Sequence, residues 1–472
     1  MTLTIYLIAG FLAFTAAIIG VMGLFSASKW IRRFGVIGTF IWLAAAASVI
    51  TVLGSTREFG NNQIAAAYFM STFSFWSSRL FSLTFVALST MAILMALSRD
   101  TNHKGGLILW LTYIMMFIAD LASSVLGTKP AFDHHVIYIL LIMTAIFMSP
   151  AMAPENVAEH AKRAIAIILY GSLLLAPIIP SYLVETGYAG IIPGFNIRLH
   201  GLASHANNLA PLALAYLLLE YWVPSAKPWR QLSIMGALAV LVLTQSKTSW
   251  IMMVVIVFTI FLTHQVSQSG KELKHARFDR VAGILGLFLI LLPMLILAGT
   301  SDDIQRLYYT LGPDNSLTTL TGRTEIWNIT LEAWKRSPWF GFGHTLWDTN
   351  FRMSYGQPTT THAHNQFIHS LGESGIVGLT ALLLYVGALI GYGLKFAAKT
   401  RGVSIALILM LLTRSMTEVP FSMVMSLDAV FFLHLIVFAL LTTLARSTHV
   451  ERERPPHQKQ PLHRNFSMSL RQ

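Results

Sequence analysis

The strongest constraint on the fold is a recurrence of apolar blocks, each roughly 17 to 23 residues long, the length at which a helix crosses about 30 Å of hydrocarbon. The composition agrees, because 54% of the 472 residues are hydrophobic and only 11% are charged. A soluble domain is charged at about a quarter of its positions. The chain is therefore predicted to be an all-α, polytopic transmembrane helical bundle, which excludes a nucleic-acid-binding protein and a cytosolic enzyme.

The blocks predict about 12 to 13 membrane-spanning helices. A further apolar and aromatic segment, residues 64–76, lies between two blocks, and we interpret it as an interfacial segment. Cysteine is absent, which excludes disulfides and cysteine-based catalysis or metal binding. The predicted spans are residues 4–25, 34–53, 80–97, 106–126, 136–148, 164–183, 207–222, 232–244, 248–263, 281–299, 375–396, 403–416 and 429–445.

The basic residues indicate how the bundle is oriented. About two thirds of the 33 Lys and Arg residues fall in alternate loops and in the C-terminal tail, which puts them on one side of the bilayer. The positive-inside rule makes that side cytoplasmic. No Lys or Arg precedes the first block, so we expect an uncleaved helix, with its N-terminus outside for 13 spans and inside for 12. The polar, proline-bearing tail is expected to be disordered in the cytoplasm.

One outer-face loop is much longer than most of the others, and long loops tend to carry function. Within it, residues 323–336 are predicted to form an amphipathic helix, because Trp327, Leu331 and Trp334 recur on one side. Such a helix could lie on the lipid headgroups or cover a cavity. The chain is accordingly divided into N-terminal transmembrane helices (1–190), central transmembrane helices (191–299), the large loop (300–374), C-terminal transmembrane helices (375–446) and the tail (447–472).

The sequence lacks the motifs of several enzyme classes. It contains no GxxxxGK[ST] phosphate loop, no HExxH zinc helix and no GxSxG nucleophile elbow. Asp302 and Asp303 are adjacent, so they do not form the spaced acidic pair of a metal- and nucleotide-sugar-dependent transferase. ATP hydrolysis, zinc proteolysis and serine hydrolysis are therefore not expected.

Three polar clusters are predicted to lie on the outer face. In the first cluster, Arg198 stands at a membrane boundary, where its guanidinium could bind phosphate oxygens or could equally snorkel to the interface. In the second cluster, Arg323 stands at the start of the predicted helix, where it offers a second anion site or could pair with a loop acid such as Glu325. The third cluster contains His362 and His364, and histidine is the side chain best suited to accept a proton near neutral pH. The two histidines could also be metal ligands, or loop residues whose hydrogen bonds are satisfied locally. The clusters are Arg198 and His200 with His205, Asn207 and Asn208; Arg323; and His362 with His364.

These clusters occur in the order and spacing of a known family. His364-Asn365 is followed, after nine residues, by Gly375-Ile376-Val377-Gly378. Together with the segments quoted at the end of this paragraph, the pattern resembles the O-antigen ligase and Wzy-type polymerase superfamily (Wzy_C domain). The resemblance covers residues 198–418, and its last segment is similar to the ExoQ-like branch of exopolysaccharide polymerases. The segments are Arg198 with Gly201 and Asn208, Ser246-Lys247, Gly322-Arg323-Thr324-Glu325-Ile326-Trp327, Pro338-Trp339-Phe340-Gly341-Phe342-Gly343, and Arg414-Ser415-Met416-Thr417-Glu418.

The resemblance implies a glycosyltransferase of the GT-C kind in the bacterial inner membrane, with the large loop in the periplasm. Such enzymes move a glycan from an undecaprenyl-pyrophosphate carrier to an acceptor hydroxyl. By the same resemblance, His364 falls on the histidine proposed to activate the hydroxyl, and Arg198 and Arg323 fall on arginines proposed to hold the pyrophosphate. Lys247 stands where relatives often have arginine, which keeps the charge but loses the bidentate fork. The expected supporting residues are Asn365, His362, Gly375 and Glu418.

The implied reaction needs cations for the departing pyrophosphate and a general base, so we expect an inverting transfer without a metal or other cofactor. The expected partners are a lipid-linked glycan donor, a glycan or lipid acceptor, membrane lipids and a chain-length regulator, but no nucleic acid. We favour polymerisation of exopolysaccharide or O-antigen repeat units. The alternatives are an O-antigen ligase acting on lipid A core, a protein O-oligosaccharyltransferase, and, from a different class, a polysaccharide or lipid transporter or flippase that uses Asp120 and Glu418.

Overall fold

The structure is a computed structural model that describes residues 34–54, 72–98, 105–150, 152–188, 192, 194–268, 318–358, 360–423 and 427–453. Within these residues the secondary structure is helical except for one short antiparallel strand pair. The predicted all-α architecture is therefore confirmed. The elements are α1 (Phe34–Leu53), α2 (Thr72–Leu97), α3 (Leu107–Leu126), α4 (His135–Met148), α5 (Pro154–Leu175), α6 (Pro180–Leu183), β1 (Val184–Thr186), β2 (Ile197–Leu199), α7 (Ala206–Trp222), α8 (Lys227–Leu243), α9 (Lys247–Gln268), α10 (Thr318–Lys335), α11 (Thr349–Ser354), α12 (Gln366–Phe396), α13 (Val403–Ser415) and α14 (Ala429–Glu453).

Among the described residues, five helices are long and apolar enough to cross a membrane, as a polytopic membrane protein requires. Several predicted spans agree with the observed helices to within one residue, namely 34–53, 106–126, 136–148, 207–222 and 403–416. The predicted spans 4–25 and 281–299 lie outside the described residues. The five helices are Phe34–Leu53, Phe75–Leu97, Leu107–Leu126, Gln366–Phe396 and Ala429–His449, and the shorter apolar ones are His135–Met148, Lys247–Thr263 and Val403–Ser415.

Helix α5 differs most from its predicted span, 164–183, because both of its ends lie earlier in the chain. It begins at Pro154, which occupies the first turn, where its missing N–H costs nothing. Its first turns contain charged residues, so a search by hydropathy does not identify them as part of the helix. Lys162 is nevertheless buried there, because its Nζ lies 2.8 Å from Oε2 of Glu159 and 3.1 Å from Oε2 of Glu220. The helix ends at Leu175, shortly before Pro177.

Helix α14 forms the centre of the bundle. Its membrane-length segment is wholly buried and packs against α4, α5, α7, α12 and α13. Helix α3 lies along α12 in the most extensive helix pair. Helix α2, in contrast, keeps Leu80, Leu83 and Leu94 exposed, as a lipid-facing helix would.

Candidate active site

A cavity of about 820 Å³ lies between the loop that carries α11 and the ends of α7, α12 and α14. Arg198, Arg323, His362, His364 and Glu418, all singled out from the sequence, line this cavity. Residues more than two hundred positions apart therefore meet at one site. The other lining residues are Asp133, Ser204, His205, Asn207, Asn208, His344, Leu346, Trp347, Asp348, Thr361, His369, Glu373, Val419, Ser422, Asp428 and Val430.

Arg198 extends from β2 and is held by neutral partners. Its Nε donates to the carbonyl oxygen of Thr244 at 3.1 Å, and a terminal nitrogen donates to Oδ1 of Asn207 at 2.8 Å. The guanidinium carbon lies 4.5 Å from the centre of the Tyr188 ring. Burial lowers the pKa of Arg198, but a guanidinium remains a cation at neutral pH. These contacts fix the group and leave further N–H donors for an anion in the cavity.

Two asparagines at the start of α7 connect Arg198 to the C-terminal motif. Arg414, on α13, is only 2% exposed. It donates to the backbone carbonyl of Asn207 at 3.1 Å and to Oδ1 of Asn208. Because Asn207 also binds Arg198, Arg414 acts as a positioning residue for that arginine. The contact explains physically why the motifs near residues 198–208 and 414–418 belong together.

The predicted amphipathic helix is present as α10, but its buried side is shifted by one residue. Ile326, Thr330 and Ala333 are buried, whereas the predicted stripe of two tryptophans and Leu331 is only half-buried. The buried side is set by the contact with α12, on which the helix packs at Gly372. A Cβ at Gly372 would lie 2.3 Å from Cγ2 of Thr330, so the small residue, not the bulky stripe, determines which face is buried.

Arg323 lies in the second turn of α10 and lines the cavity, whereas the sequence predicted it at the start of a helix over residues 323–336. The helix begins earlier, at Thr318, so its free N–H groups are not beside Arg323. Arg323 is half-buried, while Glu325, the acid considered as its partner, is exposed. Burial lowers the pKa of Arg323 and the Glu418 carboxylate raises it. One turn further on, Nε1 of Trp327 donates to the backbone carbonyl of Ala363 at 2.9 Å, which ties α10 to the histidine loop.

His362 and His364 both face Glu418. Nε2 of His362 lies 3.4 Å from Oε2 of Glu418, and Nδ1 of His364 lies 3.9 Å from the same oxygen. The backbone N–H of His364 donates to Nδ1 of His362 at 3.1 Å, so the ring proton of neutral His362 is on Nε2. His364 has a φ of 49°, in the left-handed region. Such backbone strain is concentrated at functional sites.

Burial keeps both imidazoles neutral near pH 7. It lowers the pKa of His364 from its ordinary value of 6.5, while the Glu418 carboxylate raises this pKa and Arg323 lowers it. The pKa of His362 is lowered further, by burial and by neighbouring imidazoles and arginines. A neutral imidazole is the form that accepts a proton, so the environment of His364 suits a general base.

The same three side chains also have the spacing of a metal site, since ligand atoms of His362, His364 and Glu418 lie within 4.8 Å of one another. A metal ligand must present an unprotonated nitrogen. In His362 the nitrogen facing Glu418 carries the proton, because the other nitrogen accepts the backbone N–H. Arg323 and Arg414 would also repel a cation. The donor set therefore fits a base with a carboxylate better than it fits a metal.

Gly375 lies inside helix α12 and breaks it, whereas the sequence predicted the start of a span there. Its φ of 65° and ψ of −161° are non-helical. A Cβ at this position would lie 2.4 Å from the backbone of Trp339, so only glycine fits. The N–H groups of Ile376 and Val377 donate to the carbonyls of Pro338 and Trp339 at 2.9 and 3.2 Å.

The glycine-bearing turn at 341–343 completes the hydrogen bonds on the other side of this break. The N–H groups of Phe342 and Gly343 donate to the carbonyls of Gly372 and Glu373 at 2.8 and 2.9 Å. Gly341 and Gly343 both have positive φ, as the predicted turn requires. The two glycine motifs of the sequence therefore form one backbone unit.

Asn365 also acts on the backbone. Helix α12 begins at Gln366, and Oδ1 of Asn365 accepts from the N–H groups of Phe367 and Ile368 at 3.0 and 3.1 Å. Asn365 and Gly375 do not line the cavity; they determine the position of His364 and of the helix that follows it.

Lys247 is not among the lining residues. It stands at the start of α9 with its side chain exposed. The preceding Gln245 ties this turn to the Arg198 strand, because its Nε2 donates to the carbonyls of Phe195 and Ile197 at 2.9 and 2.7 Å. A contribution of Lys247 to phosphate binding stays a prediction.

Three further side chains that the quoted motifs do not include also line the cavity, namely His344, His369 and Glu373. Nε2 of His344 lies 2.9 Å from Oδ2 of Asp120, so the acid considered for a transporter anchors the large loop instead. His369 and Glu373 are four residues apart on one helical face, a spacing that could have been noticed. The predicted span begins at Gly375, so the sequence placed both residues in the preceding loop, where a helical spacing has no meaning.

Residues 232–383 match the Wzy_C family model, described as O-antigen ligase. The match includes Arg323, His364 and the broken first half of α12. No curated protein matches the chain at a significant level. The resemblance to the superfamily is therefore confirmed, while the ExoQ-like branch stays a prediction. The chain is a multi-pass α-helical membrane protein whose residues 232–383 match the Wzy_C family model, which supports its resemblance to the O-antigen ligase and Wzy-type polymerase superfamily.

Proposed function

We propose that this protein is a glycosyltransferase that moves a glycan from undecaprenyl pyrophosphate to an acceptor hydroxyl at the periplasmic face of the inner membrane. Its product would be polymerised exopolysaccharide or O-antigen repeat units. The observation that carries the proposal is the cavity shared by Arg198, Arg323 and His364. The matched domain, whose family consists of ligases and polymerases of the glycosyltransferase type, supports the class of enzyme.

The transfer is a single displacement. The acceptor oxygen forms a bond to the anomeric carbon while the bond from that carbon to the pyrophosphate oxygen breaks, which inverts the configuration. Arg198 and Arg323 neutralise the charge that grows on the departing pyrophosphate. His364 takes the hydroxyl proton, and the Glu418 carboxylate stabilises the imidazolium that results. Pyrophosphate is already a good leaving group, so no nucleotide is needed.

The direct test uses the purified protein in detergent with lipid-linked glycan from the producing strain. We expect longer glycans and free undecaprenyl pyrophosphate, and we expect the same yield in the presence of a chelator. Solute movement into proteoliposomes without a new glycosidic bond would instead support a transporter. A requirement for an added divalent ion would refute the metal-independent mechanism.

The acceptor distinguishes a polymerase from its relatives in function. In a deletion strain, surface glycans that stop at a single repeat unit indicate a lost polymerase. Long chains that remain on the lipid carrier indicate a lost ligase, the second candidate that the matched family supports.

Donor binding is expected to depend on the fork geometry of both arginines. Arg198→Lys and Arg323→Lys keep the charge but lose bidentate hydrogen bonding, so each should raise the KM for the lipid-linked donor about tenfold or more. Steady-state kinetics over a range of donor concentrations measure this. Arg163→Lys is the matched control, because Arg163 is exposed on α5, away from the cavity, and its Nε lies 2.8 Å from Oε1 of Glu159.

An unchanged donor KM in both cavity variants would contradict a phosphate site at these arginines. Lys247→Ala, measured alongside them, decides whether the exposed lysine contributes. A raised donor KM in this variant would support its predicted role.

The pH dependence of transfer is expected to report His364. Its pKa is lowered by burial and raised by Glu418, and only the unprotonated form accepts a proton. kcat/KM should therefore fall as the pH drops through a value below 6.5. Glu418→Gln removes the charge that raises this pKa, so the acid limb should move to lower pH. A pH–rate profile of both proteins tests this, and a move to higher pH would contradict it.

A further inference from the structure

Two buried ionisable side chains in the cavity wall have no role in the transfer described above. His369 and Glu373 lie one turn apart on α12 and are 5% and 6% exposed. Both line the cavity, and Nε2 of His369 lies 3.5 Å from Oε2 of Glu373. Ionisable groups are rarely buried in this way unless they are paired, and a buried pair in a cavity wall is a candidate for a functional role.

The remaining nitrogen of the imidazole indicates which chemistry the wall binds. Among the described residues, Nδ1 of His369 has no hydrogen-bond partner. Buried polar atoms are normally hydrogen-bonded, and His369 lines the cavity, so a group bound there is the candidate partner that Nδ1 lacks. With Glu373 ionised, the ring proton is on Nε2 and Nδ1 is an acceptor; with Glu373 protonated, the tautomer can reverse. A hydroxyl both donates and accepts, so it satisfies Nδ1 in either case.

The wall is built on different elements from the arginine side of the cavity. The carbonyl of Glu373 accepts from Oγ of Ser123 on α3 at 2.6 Å and from the N–H of Gly343 at 2.9 Å. Arg198, in contrast, is held by β2 and α7. His364 interacts electrostatically with Arg323 and also with His369. The proposed base is therefore in reach of both sides.

Charge makes this wall unsuitable for a diphosphate. Asp120, whose Oδ1 accepts from Oγ of Ser374 at 3.2 Å, is paired with His344, whose Nε2 lies 2.9 Å from its Oδ2. Within the described part of the chain, the pair of His369 and Glu373 therefore offers a diphosphate no guanidinium or ammonium group, whereas a neutral hydroxyl needs none. The lipid pyrophosphate therefore belongs with the arginines, and a hydroxyl-bearing sugar belongs here.

We propose that His369, oriented by Glu373, binds a hydroxyl of the acceptor sugar and so forms an acceptor subsite in the same cavity as His364. This inference rests on the function proposed above. It concerns a hydroxyl that is held in place, while the hydroxyl that reacts is the one delivered to His364. His369 is accordingly a specificity-determining residue for the acceptor, and Glu373 is the residue that positions it.

The test measures binding of two probes to the purified full chain in detergent. One probe is the phosphate-free glycan released from the lipid carrier by mild acid, and the other is inorganic pyrophosphate. Trp347 lines the cavity, so intrinsic tryptophan fluorescence can follow both titrations. His369→Leu removes the polar nitrogen, whereas His369→Asn retains an acceptor near the position of Nδ1. His160→Leu is the control, because His160 contacts Trp42 on α1 and does not line the cavity.

We expect His369→Leu to weaken glycan binding about tenfold or more and to leave pyrophosphate binding within about twofold of wild type. His369→Asn should retain glycan binding within about threefold. Arg198→Met should give the reverse pattern, with pyrophosphate binding weakened and glycan binding retained. His160→Leu should bind both probes as the wild type does.

Unchanged glycan binding in His369→Leu, or an equal loss for both probes, overturns the acceptor subsite. A wild-type protein that does not bind the glycan overturns it as well, and so does an equal loss in the Leu and Asn variants. Failure of the proposed function is a different result. In that case the glycan binds in a His369-dependent way, yet no glycosidic bond forms from the lipid-linked glycan.

Discussion

Replacing His364 by alanine is expected to lower the rate of glycan transfer about 10²–10⁴-fold, the usual contribution of a positioned general base. The variant should reach the membrane in normal amounts, because the His364 side chain is only partly buried and lines the cavity. Binding of the donor should also survive, since the pyrophosphate is assigned to Arg198 and Arg323. The loss should therefore appear in kcat rather than in the donor KM.

The control for this prediction is His160→Ala, which removes a histidine on α5 that lies outside the cavity. Transfer by purified protein and surface polysaccharide in a complemented strain are the two measurements. Full activity of His364→Ala would remove this residue from the role of base. The neighbouring His362 would not replace it, because its Nδ1 is occupied by a backbone N–H.

Replacing Gly375 by alanine is expected to destabilise the folded protein by more than about 3 kcal/mol, which few membrane proteins tolerate. The added Cβ would lie 2.4 Å from the carbonyl of Trp339 and 2.6 Å from the nitrogen of Phe340. Both are backbone atoms, so neither can rotate away. The positive φ adds strain for any residue with a side chain. We therefore expect little folded protein in the membrane and a lowered Tm for whatever is recovered.

Gly387→Ala and Gly391→Ala are matched controls on the same helix. No atom of the residues that the structure describes, apart from the helix's own neighbouring backbone, lies within 4 Å of a Cβ built at either position, so both variants should accumulate and function normally. Thermal unfolding in detergent and quantification in isolated membranes measure the difference. A Gly375→Ala variant as stable as these controls would show that the break in α12 can be repaired by local movement.

The sequence predicted the fold well because hydropathy alone identifies membrane-spanning helices. It predicted less well wherever charge or packing decides a boundary. The first turns of α5 contain Lys162, whose burial depends on carboxylates from two helices, and no local pattern reveals that pairing. The buried face of α10 depends on the space above Gly372, which is a property of the partner helix.

Only those residues of the candidate site that belong to a recognisable motif could be predicted from the sequence. Arg198, Arg323, His364 and Glu418 were selected in this way, and all of them line the cavity. His369 could not be predicted in this way, because the predicted span began at Gly375 and left His369 outside the helix. The role of Arg414 was equally hidden, since its contact with α7 joins residues far apart in the chain.

The break in α12 has a practical consequence for engineering. Because residues 338–343 supply the missing hydrogen bonds of a broken helix, this stretch and residues 372–377 are one inseparable piece. A chimera that exchanges only the extramembrane portion between two such proteins would leave donors and acceptors mismatched at the junction. Swapping glycan preference between homologues should therefore require transplanting both stretches together.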